Sequence, residues 1–141
     1  MAASVKRQIS QLLAIIGGAG FLACGQPGGD RDPQGPGLFK VAACGQSFFV
    51  RIDDPEIAQQ AAAQIGQADQ LVLTGHVMPG DGGFNSPWAW HLDPADISFS
   101  EVTIELCDGC PQTIEEDPDG WIRTVGVYCP WDGRIVQYWG D

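Results

Sequence analysis

Apolar residues recur along this chain at two spacings, one of period two and one helical, and the switches between them lay out its elements. Ser47-Phe48-Phe49-Val50-Arg51-Ile52 is rich in β-branched and aromatic residues and predicts a strand. Asp53-Asp54-Pro55-Glu56 then opens a helix, because Asp54 can cap it, Pro55 suits its first turn and Glu56 meets the positive end of the dipole. Ile57, Ala61 and Ile65, with Ala58 and Ala62, make one apolar stripe, and Gly66 ends it. Leu71 to Val77 alternates again and predicts a strand. Met78 to Pro87 is a Gly, Pro and Asp loop, followed by a strand Trp88 to Leu92 with Trp88, Trp90 and Leu92 on a common side. Asp93-Pro94 turns the chain. Ile97 and Phe99 then hold one parity, while Val102, Ile104 and Leu106 hold the other, which predicts a bulge or bend near Ser100. Pro111 to Glu116 suggests a short second helix closed by Asp117-Pro118-Asp119-Gly120. Trp121 to Tyr128 and Arg134 to Trp139 read as final strands. The order β-α-β-β-(β)-α-β-β predicts an α+β two-layer sandwich with a largely antiparallel sheet and one main helix, ferredoxin-like as a first guess.

Residues 1–37 do not share these spacings. Lys6 and Arg7 precede an apolar run from Leu12 to Ala23. At about a dozen residues it is too short for a hydrocarbon core that needs about 20, and it has the shape of a signal peptide. Phe21-Leu22-Ala23-Cys24 resembles the lipobox of bacterial lipoproteins, although Phe21 stands where Leu is usual. That resemblance implies a cut after Ala23, a lipid anchor on Cys24, and export to the cell envelope or outer membrane; the alternative is ordinary cleavage with Cys24 as a free thiol. Val41-Ala42-Ala43-Cys44 looks similar but lies beyond charged residues and a Pro/Gly tract. The expected organisation is therefore a lipoprotein signal peptide at 1–23, a disordered tether at 24–37, and a single disulfide-stapled domain at 38–141.

Assigning Cys24 to lipid leaves Cys44, Cys107, Cys110 and Cys129, an even set suited to disulfides in an oxidising compartment and open to three connectivities. Cys107-Asp108-Gly109-Cys110 has thioredoxin-like spacing without a βαβ context, so structural staples are expected over redox or zinc chemistry. The chain carries 7 Lys and Arg against 18 Asp and Glu, and loss of Lys6 and Arg7 with the leader takes its formal charge from −11 to −13. That charge repels phosphate backbones and anionic headgroups, which excludes nucleic acid as a partner class and leaves the membrane to the anchor alone. It would suit a cation or a basic protein, while simple solubility is its ordinary reading.

Asn85-Ser86-Pro87-Trp88-Ala89-Trp90-His91-Leu92-Asp93-Pro94 resembles small secreted bacterial proteins labelled calmodulin-binding, which share a domain with a slime-mould calmodulin-binding protein. The likeness runs from Phe39 to about Ile135 and includes Phe49 to Pro55, Ile97-Ser98-Phe99, Ile104 to Asp108 and Tyr128-Cys129-Pro130-Trp131. It implies cysteines at Cys107 and Cys129 that pair with each other, and so a second pair Cys44–Cys110. Pro111 to Gly120 departs from a longer helix in the relatives. The resemblance supplies no catalytic residue, and its label is not a mechanism, since bacteria carrying the domain generally lack calmodulin.

Three constellations could carry chemistry. All five Trp follow residue 87, and together with Tyr128 and Tyr138 they either stack on sugars and anchor a partner or fill a small core. Trp88 and Trp90 adjoin the Gly-rich loop, so Trp88, Trp90, His91, Asn85 and Asp81 are the expected binding residues. Glu115, Glu116, Asp117 and Asp119 crowd one turn; the last three are weak calcium candidates, since Tyr128 stands where an EF-hand would place its closing Glu. His91 and Asp93 share a strand face as a base with an orienting acid, but no Ser in a nucleophile-elbow setting accompanies them. The resulting expectation is a non-catalytic binding module on a bacterial envelope, recognising a protein or glycan through Met78 to Trp90. No cofactor is expected, calcium being the one candidate. An inhibitor of secreted proteases and a calcium-dependent adhesion domain are the alternatives.

Overall fold

The computed structural model describes residues 36–140; the expected leader, Cys24 and nearly all of the tether lie outside the described residues. Strand β1 (Gly37–Ala43) and β2 (Gln46–Ile52) form an antiparallel hairpin. Its turn residues, Cys44 and Gly45, both have positive φ, 53° and 71°, as tight hairpin turns require to match strand twist. Gly45 adopts this freely. Cys44 is held there by its disulfide to Cys110 and by its N–H, which donates to Asp132 Oδ2 at 2.8 Å. Strand β7 (Arg134–Gly140) lines the other side of β1, giving a sheet of order β2-β1-β7. The apolar pattern starts the domain at 38 and assigns no element before Ser47, yet Gly37 already pairs with Ile52 and Gly140. Phe39, Val41 and Ala43 do alternate inward. Their signal is faint because small residues and glycines surround them.

The second sheet is built on β3 (Val72–Pro79), which pairs antiparallel with β4 (Trp90–Leu92), β5 (Ser98–Ser100) and β6 (Val127–Tyr128). Two antiparallel sheets thus stand where a ferredoxin-like topology has one, while the α+β class holds. Gly75 sits mid-strand in β3 because a Cβ there would come within 2.8 Å of Ile97 Cδ1.

Helix α1 (Pro55–Ala63) starts as its sequence dictates. Asp54 Oδ1 accepts from the N–H groups of Glu56 and Ile57 at 2.8 and 3.1 Å, and Ala58 and Ala61 are buried. Helices α2 (Pro111–Glu116) and α3 (Pro118–Thr124) follow each other directly. The first half of the expected strand Trp121 to Tyr128 belongs to α3, and only Val127–Tyr128 is strand. Asp117 caps that helix by accepting from Gly120 N–H at 2.9 Å, with Pro118 at its first position, so Asp117-Pro118-Asp119-Gly120 starts a helix where the pattern suggested a stop. Val102 to Leu106 is irregular chain running into a 3₁₀ turn at Glu105–Cys107.

One core draws on both sheets: Phe39, Val41, Phe48, Val50 and Ile52 from the first, and Leu73, Val77, Trp90, Leu92 and Tyr128 from the second. Phe48 lies 5.4 Å from Trp90 and 5.6 Å from Tyr128, centroid to centroid, so a single ring cluster joins the layers. Cys44–Cys110 ties the hairpin turn to α2, and Cys107–Cys129 ties the 3₁₀ turn to the end of β6. Among the described residues, no helix is long and apolar enough to cross a membrane.

Candidate functional site

The loop between β3 and β4 is bonded into the body of the domain. Asn85 is fully buried; its Oδ1 accepts from Phe49 N–H at 2.7 Å and its Nδ2 donates to Trp90 O at 2.7 Å. Trp88 Nε1 donates to Ser47 O at 3.0 Å. These two side chains therefore bond to backbone groups of β2, the edge strand of the first sheet, and fasten it to the second, where unpaired edge groups would otherwise recruit another chain. Within the loop, Asp81 O accepts from Asn85 N–H at 2.8 Å and its Oδ1 from Gly83 N–H at 2.9 Å. His91 Nδ1 bonds Gly80 O at 2.7 Å; a carbonyl only accepts, so this nitrogen carries the proton. The His91 ring also meets Phe84 edge-on, and Gly82, at φ 63°, leaves no room for a Cβ against it. Ala89 N–H donates to Glu115 Oε2 at 2.8 Å.

The expected binding residues are thus differently placed. Trp90 and Asn85 are 0% exposed and offer no surface to a ligand. Trp88 is half-buried, with its ring 6.0 Å from that of Trp90, and His91 holds the loop base. Of the five, Asp81 alone is exposed, its carboxylate engaged in a turn. Alternation correctly puts positions 88, 90 and 92 on one face; that face is the core.

Apart from Met78 at the start of the loop, the exposed large apolar side chains lie elsewhere, Val136 and Trp139 on β7 among them. Val102, Ile104 and Leu106 are 82%, 64% and 65% exposed, and Trp131 is 50% exposed. A groove of about 250 Å³ is lined by Val72, Glu101, Val102, Thr103 and Trp131. The ridge is firmly founded: Cys107 is bonded to Cys129, Cys129 N–H donates to Cys107 O at 2.8 Å, and Trp131 N–H donates to Asp108 Oδ1 at 2.9 Å. The fully buried Tyr128 donates its hydroxyl to Gly109 O at 2.9 Å. Burial first, then the charges of Asp132 and Asp108, push its ionisation well above the usual phenol range. The pattern of residues 102, 104 and 106 reads as a strand face, so the ridge was hidden in it; the phase change at Ser100 is its one sequence signal.

The remaining constellations disperse. Asp117 caps α3 and Glu115 holds Ala89, and among the described residues no three His, Cys, Asp or Glu side chains converge as metal ligands, Glu116, Asp117 and Asp119 included. Asp93 Oδ1 accepts from Ala95 N–H at 3.0 Å and does not orient His91, whose proton goes to Gly80. The other histidine, His76, pairs with Asp96 on the surface.

The family model described as the BP-74 N-terminal domain matches residues 36–139, from the residue before β1 to within one residue of the end of β7. No curated protein and no solved structure matches the chain. With the whole two-sheet body inside that match, the chain belongs to the BP-74 N-terminal domain family.

Proposed function

We propose that this domain is a non-catalytic protein-binding module that recognises its partner through the ridge of Val102, Ile104, Leu106 and Trp131. The observation that carries this reading is four large apolar side chains left in solvent beside a disulfide and two hydrogen bonds that join Cys107 and Asp108 to Cys129 and Trp131. Fully burying such a side chain is worth roughly 1.5–3 kcal/mol, and the part of that gain that folding leaves unclaimed here is open to association. A prepared backbone also lowers the ordering cost of binding. The family match supports a domain of binding type. The loop Met78 to Trp90 then serves as the fastener between the sheets.

A second reading is favoured by the exposed run Asp81-Gly82-Gly83 on internally bonded backbone, a form that suits an inhibitor of secreted proteases. The two disulfides fit an oxidising compartment, so the same proposal holds the domain at a bacterial envelope by an acylated Cys24. Mass spectrometry of native material checks the anchor, where an unmodified Cys24 thiol removes it.

The test is equilibrium binding of polypeptides, oligosaccharides and secreted proteases to wild-type, Trp131→Ala, Leu106→Asp and Asp81→Ala domains. The proposal expects a polypeptide ligand whose affinity falls at least about tenfold in the two ridge variants and is unmoved by Asp81→Ala or by chelation of calcium. Loss confined to Asp81→Ala transfers recognition to the loop.

A further inference from the structure

Carboxylates interleave and flank the ridge. Glu101 and Glu105 alternate with Val102, Ile104 and Leu106 on one short exposed segment, Asp108 Oδ1 accepts from Trp131 N–H at 2.9 Å, and Asp132 follows Trp131 in the chain with its Oδ2 accepting from Cys44 N–H at 2.8 Å. Arg134, the cation nearest to Trp131 in sequence, donates its guanidinium to Gln67 O and Ala68 O at 3.2 and 2.7 Å. Arg51 pairs with Asp53, and the His76 ring bonds the Asp96 carboxylate. The apolar surface therefore sits beside several carboxylates, on a chain with 18 acidic and 7 basic residues.

We infer that the ridge takes a segment of another protein in which apolar side chains are flanked by lysine or arginine. Resting on the reading of the ridge as a protein-binding face, this assigns the chemistry of its partner. The apolar centre supplies desolvation, while the carboxylate rim selects the sign of the partner and speeds encounter. A second copy of this chain fails the same criterion, because each face would bring the same four carboxylates against its twin. A glycan is also a poorer fit, since three aliphatic side chains extend the surface beyond the single Trp131 platform.

Three synthetic peptides test the inference. They share one pattern of Leu and Trp, and their polar positions are all Lys, all Gln or all Glu. Each is titrated into the ¹⁵N-labelled, disulfide-intact domain, with amide and indole shifts followed by NMR. The Lys peptide is expected to move Val102 to Leu106 and the Trp131 indole. It should bind about tenfold more tightly than the Gln peptide and more tightly still than the Glu peptide, an order that narrows with salt. Glu101→Gln combined with Glu105→Gln should remove most of the preference for Lys and leave binding of the Gln peptide unchanged. Equal affinity of all three peptides at the ridge overturns the basic partner and leaves the protein-binding face standing. Shifts of the Lys peptide confined to the turn Glu115 to Asp119, or ridge shifts caused by oligosaccharides and by no peptide, overturn both. Self-association that moves the same resonances in the absence of peptide overturns the inference in favour of a second copy.

Discussion

The loop Met78 to Trp90 and the segment Glu101 to Leu106 have opposite compositions and opposite fates. The first is full of glycine, proline and aspartate and ends in two tryptophans, the usual makings of an exposed binding loop. It is bonded inward at Asn85 and Trp88, closed at its base by the bond of His91 to Gly80, and carries Trp90 into the core. The second alternates apolar residues as a buried strand does, and its side chains stand in solvent. Periodicity sorts residues onto faces, and only a partner from far along the chain decides which face is covered. For the loop, that partner is β2, 41 positions away from Trp88 at Ser47.

Substitutions on the two sides of this comparison should separate cleanly. Trp90→Ala removes a ring packed on both Phe48 and Tyr128 and should cost about 3–5 kcal/mol by denaturant unfolding. A loss under about 1 kcal/mol would break the comparison at its strongest point. Asn85→Ala strands Phe49 N–H and Trp90 O beneath the loop, and should cost roughly 2–4 kcal/mol in the same assay. Replacing Cys107 and Cys129 together by Ser frees a loop of separation 22 and should cost about 3 kcal/mol on chain entropy. Hydrogen exchange should then rise first across Val102 to Leu106.

Smaller effects sharpen the contrast. Gly82→Ala forces a Cβ into a left-handed position against His91 and should cost about 1–3 kcal/mol, seen as a lower melting temperature. Tyr128 gives the pH dependence. Its phenol ionises near 10.0 when free and well above that in the fold, so below pH 10 both states are protonated and its contribution is intact. Above pH 10 the unfolded chain releases a proton that the fold retains, and stability falls by up to about 1.4 kcal/mol per pH unit. Tyr128→Phe should flatten that limb while costing roughly 1 kcal/mol at neutral pH for the lost bond to Gly109. At the small end, Leu106→Asp should change stability by no more than about 0.5 kcal/mol.

Much of the scaffold is legible in local chemistry. Strand β2, the Asp54-capped helix α1, β3 and the short helix after Cys110 all follow from propensity, capping and period. What escapes is set by context. Asp117-Pro118-Asp119-Gly120 carries the residues of both a turn and a helix start, and the side-chain bond from Gly120 to Asp117 decides it. Strand β1 depends on having neighbours on both sides, which its small residues do not advertise. The division of the five tryptophans is the clearest case. Nothing local distinguishes Trp90, buried against Phe48 and Tyr128, from Trp131, half-exposed above Asp108. Of the candidate site, the sequence shows an acidic chain with late aromatic residues, while the ridge itself arises only when Cys107 and Cys129 bring two distant segments together.

The most direct measurement is ¹⁹F NMR of the 5-fluorotryptophan-labelled domain in the presence of a soluble paramagnetic agent, with resonances assigned by single substitutions. The Trp131 signal should broaden strongly and the Trp90 signal should stay sharp. A broadened Trp90 beside a protected Trp131 would return recognition to the loop and contradict the ridge.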